Sequence, residues 1–320
     1  MSTDTLVQVE GISRYYGEHC AVDKLSFSVR RGEVLGFLGP NGAGKTTTMQ
    51  ILCGVLAATS GTASIAGYDI VAQPFEAKRR LGFLPEQPPL YREALVDEYL
   101  HYCATLRRVP RARRRAAVAN ARERCGLADA GGRLIGNLSK GYQQRVGVAQ
   151  AIIHAPEVVI LDEPTVGLDP NQILEIRRLI GELSEDHSVI LSTHILPEVQ
   201  STCDRVLIIN NGRRVLDQPL ADLRSDSALS GISIALQQPP PPGELESLEG
   251  VREVVPLDRY RFRVTYRRDV DTPVAVSRAA AEKGWGLYEL IPQADSLEET
   301  FVQLTRGEYL DAGSGDPAAP

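Results

Sequence analysis

An α/β fold followed by a smaller α+β unit is what the sequence predicts, and three observations carry that expectation. A glycine-rich loop at residues 39–47 sits between an apolar run and a helical stretch. Strand-like and helical segments alternate up to about residue 223. There the composition shifts, and a second, shorter set of alternating segments begins.

Taken in order, residues 6–12, 25–29 and 34–38 read as strands, with Arg31-Gly32-Glu33 as the polar turn into the third. Gly39-Pro40-Asn41-Gly42-Ala43-Gly44-Lys45-Thr46-Thr47 follows and fits G-x-x-x-x-G-K-[ST]. In this pattern successive backbone N–H groups and the positive helix end face one anion, which implies a nucleotide triphosphate. Lys45 is placed to reach the β- and γ-phosphates and Thr46 to ligate Mg²⁺. The helix after the loop should stop near Gly54, and residues 62–66 and 81–84 are expected to join the sheet. A helical pattern over 96–124, interrupted at Pro110, marks a helical insert within about 95–155. Strand candidates at 158–161, 189–192 and 205–209 then alternate with helices at about 140–154 and 171–185, which completes a first domain at 1–223.

Arg224-Ser225-Asp226-Ser227 reads as the start of a linker at 224–230, and the prolines at 239–242 are too stiff for a helix interior or a central strand. Ile232, Ile234 and Leu236 alternate, as do Tyr260, Phe262, Val264 and Tyr266, with helical stretches near 244–248 and 273–282. Strand, helix, strand, strand, helix, strand is a ferredoxin-like order, expected for an accessory domain at 231–306. Residues 307–320, mostly small or polar, are expected to form a disordered tail.

The buried-strand pattern at 158–161 ends in Asp162 and Glu163. Such a run can be an ordinary strand exit, but a phosphate loop upstream gives the carboxylates a task. Asp162 then holds Mg²⁺, and Glu163 orients and deprotonates the water that attacks the γ-phosphate. Ser139 is placed to cap the helix that carries Val146, Ala149 and Ile153 on one face, and a capped helix N-terminus is also a phosphate site.

Composition restricts the function classes. With 43% hydrophobic and 24% charged residues the chain reads as globular, and a net charge of −6 argues against a general nucleic-acid binder. The N-terminus lacks a secretory pattern, and no run approaches the roughly 18 apolar residues of a membrane helix. Five scattered cysteines have neither disulfide-framework nor zinc spacing and are expected to be reduced and buried or inert. The arginine-rich run at 107–115 reads as a solvated helix face or as a patch attracted to anionic lipid head groups.

Leu138-Ser139-Lys140-Gly141-Tyr142-Gln143-Gln144-Arg145 resembles the signature sequence of ATP-binding cassette (ABC) ATPases, and the resemblance extends over about residues 6–223. It implies a P-loop NTPase cassette with a helical subdomain, with ATP and Mg²⁺ as cofactors. Tyr16 matches the aromatic that stacks on adenine, Gly167-Leu168-Asp169 the loop through which subunits communicate, and His194 the histidine at the γ-phosphate. The implied site therefore has Lys45, Glu163 and His194 as catalytic residues and Thr46, Glu86 and Asp162 at the metal. Nucleotide contacts fall to Tyr16, residues 39–47 (Gly39, Pro40, Asn41, Gly42, Ala43, Gly44, Lys45, Thr46 and Thr47), Ser139, Gly141 and Asp169. Two departures stand out: Glu86 occupies the usual glutamine position, and Lys140 and Tyr142 replace the more usual glycine and glutamine.

These variants and the appended small domain resemble the branch of drug, antibiotic and lipid exporters and a gliding-motility ATPase. What the resemblance implies is an ATP-hydrolysing export subunit, acting as a homodimer on a separate polytopic membrane permease. It would be cytoplasmic, peripheral on the inner face of the cell membrane, without a nucleic-acid partner. The alternatives are a non-transport ABC ATPase acting on ribosomes or DNA, and a nucleotide-gated regulatory module without turnover. The former usually shows two cassettes or a long coiled-coil insertion, and the presence of Glu163 disfavours the latter.

Overall fold

The structure is a computed structural model that describes residues 4–225, 229–267 and 269–293. The chain divides into two compact units at residues 220 and 221.

In the first unit, β1 (Thr5–Tyr16) and β2 (His19–Arg30) form a long hairpin that leads into β3 (Val34–Leu38), the phosphate-loop motif and α1 (Lys45–Leu52). Then come β4 (Ser60–Ile65), β5 (Tyr68–Asp69), α2 (Pro74–Arg79) and β6 (Leu81–Leu84). A helical insert of α3 (Val96–Leu106), α4 (Arg114–Arg124) and α5 (Lys140–Ile152) precedes β7 (Val158–Asp162). The unit closes with α6 (Pro170–Ser184), β8 (Ser188–Thr193), α7 (Leu196–Thr202), β9 (Arg205–Asn210) and β10 (Arg213–Pro219); α8 (Leu220–Ser225) runs across the division.

The principal sheet has the order β10-β9-β3-β8-β7-β6, parallel except for β10, which pairs antiparallel to β9 at one edge. Every residue of β3, β7 and β8 is buried, as a parallel strand covered on both faces requires. The carboxyl ends of β3, β6, β7 and β8 therefore lie on one edge, where open α/β sheets bind ligands.

Residues 62–66 do not join that sheet, contrary to expectation. β4 pairs antiparallel with β1 (Val7 opposite Ile65, Val9 opposite Ala63) in a separate sheet of order β2-β1-β4-β5. The reason is its burial: only Ala63 and Ile65 of β4 are buried, so it can serve a sheet with one face on the core, whereas a central parallel strand needs both faces covered. A shared core of Phe27, Leu35, Phe37, Met49, Ile65 and Ile190 joins the two sheets, with the Phe27 and Phe37 rings 5.5 Å apart. Leu84, Val159 and Leu161 belong to the core of the helical insert, together with Leu100, Val118 and Val146.

The second unit contains β11 (Leu229–Leu236), α9 (Pro242–Glu246), β12 (Val251–Pro256), β13 (Arg261–Arg267), α10 (Thr272–Glu282) and β14 (Leu287–Gln293). Its antiparallel sheet has the order β12-β13-β11-β14, with the first and last strands of the unit adjacent, as the ferredoxin-like arrangement requires. Ile232, Ile234, Phe262, Val264, Val276 and Trp285 fill its core. Pro242 is the first residue of α9, where a missing N–H is harmless. The end of α8 and the start of β11 occupy part of the stretch expected as linker, and the tail at 307–320 lies outside the described residues. All five cysteines are free, three of them buried.

Candidate active site

The phosphate loop is shaped by what its glycines permit. Gly44, directly before α1, has φ 101°, and a Cβ there would lie 2.4 Å from the Ala21 carbonyl oxygen, so both conformation and space exclude a side chain. Thr48 ties the loop to the first turn of α1, its Oγ1 donating to Gly44 O at 2.9 Å. Lys45 is buried, and its Nζ donates to the carbonyls of Gly39 (2.9 Å) and Pro40 (3.3 Å).

β7 delivers the two acids. Asp162 is fully buried: Oδ1 accepts from Ser192 Oγ at 2.7 Å, and Oδ2 has no hydrogen-bond partner. Burial raises its pKa; the nearby Ser192 and Thr46 hydroxyls oppose the rise, and the charges of Glu163 and Glu86 add to it. Thr46 thus stands near the carboxylate without closing a hydrogen bond to Oδ2.

Glu163 turns the chain sharply. Its φ of 50° lies in the left-handed region, which costs a non-glycine residue about 1–2 kcal/mol, and its N–H donates to Ser192 O at 2.8 Å. Its carboxylate, only 7% exposed, faces two groups. Lys45 Nζ is 3.3 Å from Oε1, and His194 Nδ1 is 3.0 and 2.9 Å from the two oxygens. An ionised carboxylate only accepts, so Nδ1 carries the proton. Lysine from the first position of α1, acid directly after β7 and histidine directly after β8 thus meet at one sheet edge.

They line a cavity of ≈520 Å³, within the size range of small-molecule sites. Asn41, Gly42, Thr46 and Thr47 form its floor, Glu86 stands after β6, and Tyr16 and His19 come from the tip of the β1–β2 hairpin. Tyr16 is half-exposed, with the Arg14 guanidinium 4.8 Å from its ring centroid. Gly39 and Pro40 act through their carbonyls, and Ala43 is buried beneath the loop.

Ser139, Gly141 and Asp169 are not brought to this cavity. Ser139 caps α5 by accepting from Tyr142 N–H at 3.4 Å, and Asp169 caps α6 by accepting from Gln172 N–H at 3.0 Å. The two helix starts adjoin, since a Cβ on Gly141 would be 2.7 Å from the Gln172 side chain.

Sequence reasoning missed Glu198. This residue of α7 is 1% exposed and accepts from two hydroxyls: Thr165 Oγ1, two residues after Glu163, and Thr193 Oγ1 (2.9 Å), directly before His194. Thr193 Oγ1 in turn accepts from Ile195 N–H at 3.1 Å. One buried carboxylate therefore fastens the loops that carry the acid and the histidine. Its sequence signal is weak, because an acid in a first helical turn is commonplace.

Residues 22–166 match the family model described as ABC transporter. A bacitracin transport ATP-binding protein of Bacillus licheniformis is 37% identical over 315 residues, covering 95% of this chain and 98% of its own. A daunorubicin resistance ATP-binding protein of Streptomyces coeruleorubidus is 31% identical, covering 94% of this chain and 96% of its own. Among solved structures, a Clostridium perfringens component of the ABC transporter complex cbiONQ superposes with a TM-score of 0.64 at 29% identity, over 70% of this chain and 92% of that one.

Proposed function

The chain belongs to the ATP-binding subunits of ABC transporters, which are ATPases that pair with a separate membrane permease, and we propose that it powers export of an antibiotic-like or drug-like compound. The observation that carries the catalytic part is Glu163 held between Lys45 and His194 on the wall of the phosphate-loop cavity. The relatives named above concern transport and resistance, which does not favour the ribosome or DNA alternative.

The residues present fit Mg²⁺. Asp162 Oδ2 is an orphaned buried acceptor beside Thr46, and Glu86 adds a carboxylate at the rim. Magnesium typically takes one or two protein carboxylates and fills its sphere with phosphate and water. Thr46 and Asp162 would hold the ion, with Glu86 near it; bound there, it supplies charge neutralisation at the β- and γ-phosphates. The loop N–H groups of residues 41–47 and Lys45 bind the phosphates, while Tyr16 offers a face to the base. Glu163 receives the proton of the attacking water, and His194, fixed by its Nδ1–H bond to Glu163, presents its other nitrogen toward the γ-phosphate.

Ser139, Gly141 and Asp169 complete the site from a second copy in a head-to-tail homodimer, which accounts for their distance from the cavity of their own chain. Residues 1–223 serve as the nucleotide-binding domain and 231–306 as the accessory domain. In this reading the subunit sits on the inner membrane face through its permease; no helix among the described residues is long and apolar enough to cross a membrane. Mixing Lys45→Ala chains with Ser139→Arg chains tests the shared site. Heterodimers should regain one working site, and proven heterodimers with no activity above either parent would count against it.

A further inference from the structure

On the first unit, away from the phosphate loop, a cavity of ≈500 Å³ opens between the end of α3, the start of α4 and the end of α5. Val109, Pro110, Ala117 and Ile152 form apolar walls, and Arg79, Arg107, Arg108 and Arg113 bring four guanidinium groups; no carboxylate lines it. A second cavity of ≈300 Å³ adjoins it, shares Arg79, Arg107 and Arg108, and adds Lys78, Phe75 and Leu106.

Three of these four guanidinium groups lack a counter-charge. Among the described residues Arg107, Arg108 and Arg113 have no carboxylate partner, whereas Arg79 already faces Glu76 at 3.6 Å. Arg107 donates only to the backbone carbonyls of Lys78 (3.3 Å) and Leu81 (3.5 Å). Burial lowers its pKa, and no carboxylate contributes to its surroundings. His154, also in the wall, donates from Nε2 to Leu81 O at 3.2 Å and keeps Nδ1 buried without a partner.

Backbone geometry singles out Arg108. Val109 N–H bonds to Ala104 O and Arg108 N–H to Thr105 O, the paired bonds that end a helix in a left-handed residue, a position glycine usually takes. Here arginine takes it, at φ 57°, a strain of about 1 kcal/mol, and its guanidinium lies 5.8 Å from the exposed Phe75 ring.

We propose that this groove binds a phosphate ester, its charge met by Arg107, Arg108 and Arg113 and its carbon skeleton by the apolar walls. Guanidinium forks match phosphate oxygens in pairs, and three of them around one cavity suit an anion of more than one charge better than a lone carboxylate. The apolar lining makes a lipid head group the fitting source, and a free ester of the same chemistry is the other.

The test uses the full chain with its nucleotide cavity saturated by Mg-ADP. Co-sedimentation is measured with phosphatidylcholine vesicles with and without phosphatidic acid, and calorimetry with glycerol phosphate, both probes being phosphate monoesters. Arg108→Gln with Arg113→Gln should weaken binding about tenfold or more. Arg111→Gln with Arg115→Gln removes the same charge from exposed neighbours outside the groove and should change it less than about twofold. Both pairs should leave ATP hydrolysis unchanged, which also shows that they fold. Glycerol phosphate bound without vesicles would keep the site and assign it a free ester. Equal losses in the two pairs, or no binding of either probe, would overturn the proposal.

Discussion

Removing Glu198 isolates the coupling between the loops that carry Glu163 and His194. The residue lines no part of the nucleotide cavity, so its loss touches neither ATP nor the phosphate loop directly. In Glu198→Ala the buried hydroxyls of Thr165 and Thr193 lose their acceptor. Hydrogen bonds to a charged group contribute about 1.5–3 kcal/mol each, and relief of the buried carboxylate's desolvation offsets part of this. The pairwise quantity is therefore the sharper one. Double-mutant cycles of Glu198→Ala against Thr165→Val and against Thr193→Val, read by urea unfolding, should each give a coupling of about 1–2 kcal/mol. ATP affinity should hold within about twofold while kcat falls about tenfold or more, because the loops bearing Glu163 and His194 lose their common anchor. Glu198→Gln should recover part of the rate, its amide oxygen accepting from Thr193 and its NH₂ donating to Thr165. Couplings below about 0.5 kcal/mol with kcat unchanged would refute the reasoning.

Gly44→Ala places a methyl group 2.4 Å from a backbone oxygen at φ 101°, so a still-folded variant should lose ATP affinity by about tenfold or more in a fluorescent-nucleotide titration; wild-type affinity would contradict the loop geometry. His154 has its pKa lowered to about 4, chiefly by burial and then by Arg107, so the native ring binds protons more weakly than the unfolded one. Its stabilising contribution is complete above about pH 6.5 and is lost as pH falls toward 4, with a slope of up to about 1.4 kcal/mol per pH unit. Asp162, raised by burial, contributes in the opposite sense, so the comparison with His154→Gln isolates the histidine; identical pH slopes in the two proteins would exclude it.

Features readable along the chain concern residues whose chemistry follows from position on a strand or at a helix start. Gly44 and Lys45 announce themselves because few arrangements other than an anion cradle need that spacing after a buried strand. Asp162 and Glu163 do so because two acids close a wholly apolar run. The second unit was legible in its order of elements, since Ile232, Ile234, Phe262 and Val264 keep strict alternation. Other features depend on distances no local pattern encodes. The separation into two sheets follows from which faces β1 and β4 can cover, and the edge strand β10 was hidden by its polar start at Arg213 and Arg214. Glu198 reads as an ordinary helix-start acid until the fold brings Thr165 and Thr193 to it.

The central claim is that ATP is hydrolysed at the Glu163 cavity and that ATP joins two copies of the chain. Purified Glu163→Gln, given ATP and Mg²⁺, can be followed by light scattering together with quantitation of bound nucleotide. The account predicts a dimer that retains ATP, formed only with nucleotide present, and turnover lowered by roughly 10²–10⁴ relative to the unaltered chain. A monomer at every ATP concentration, or hydrolysis at the wild-type rate, would contradict it.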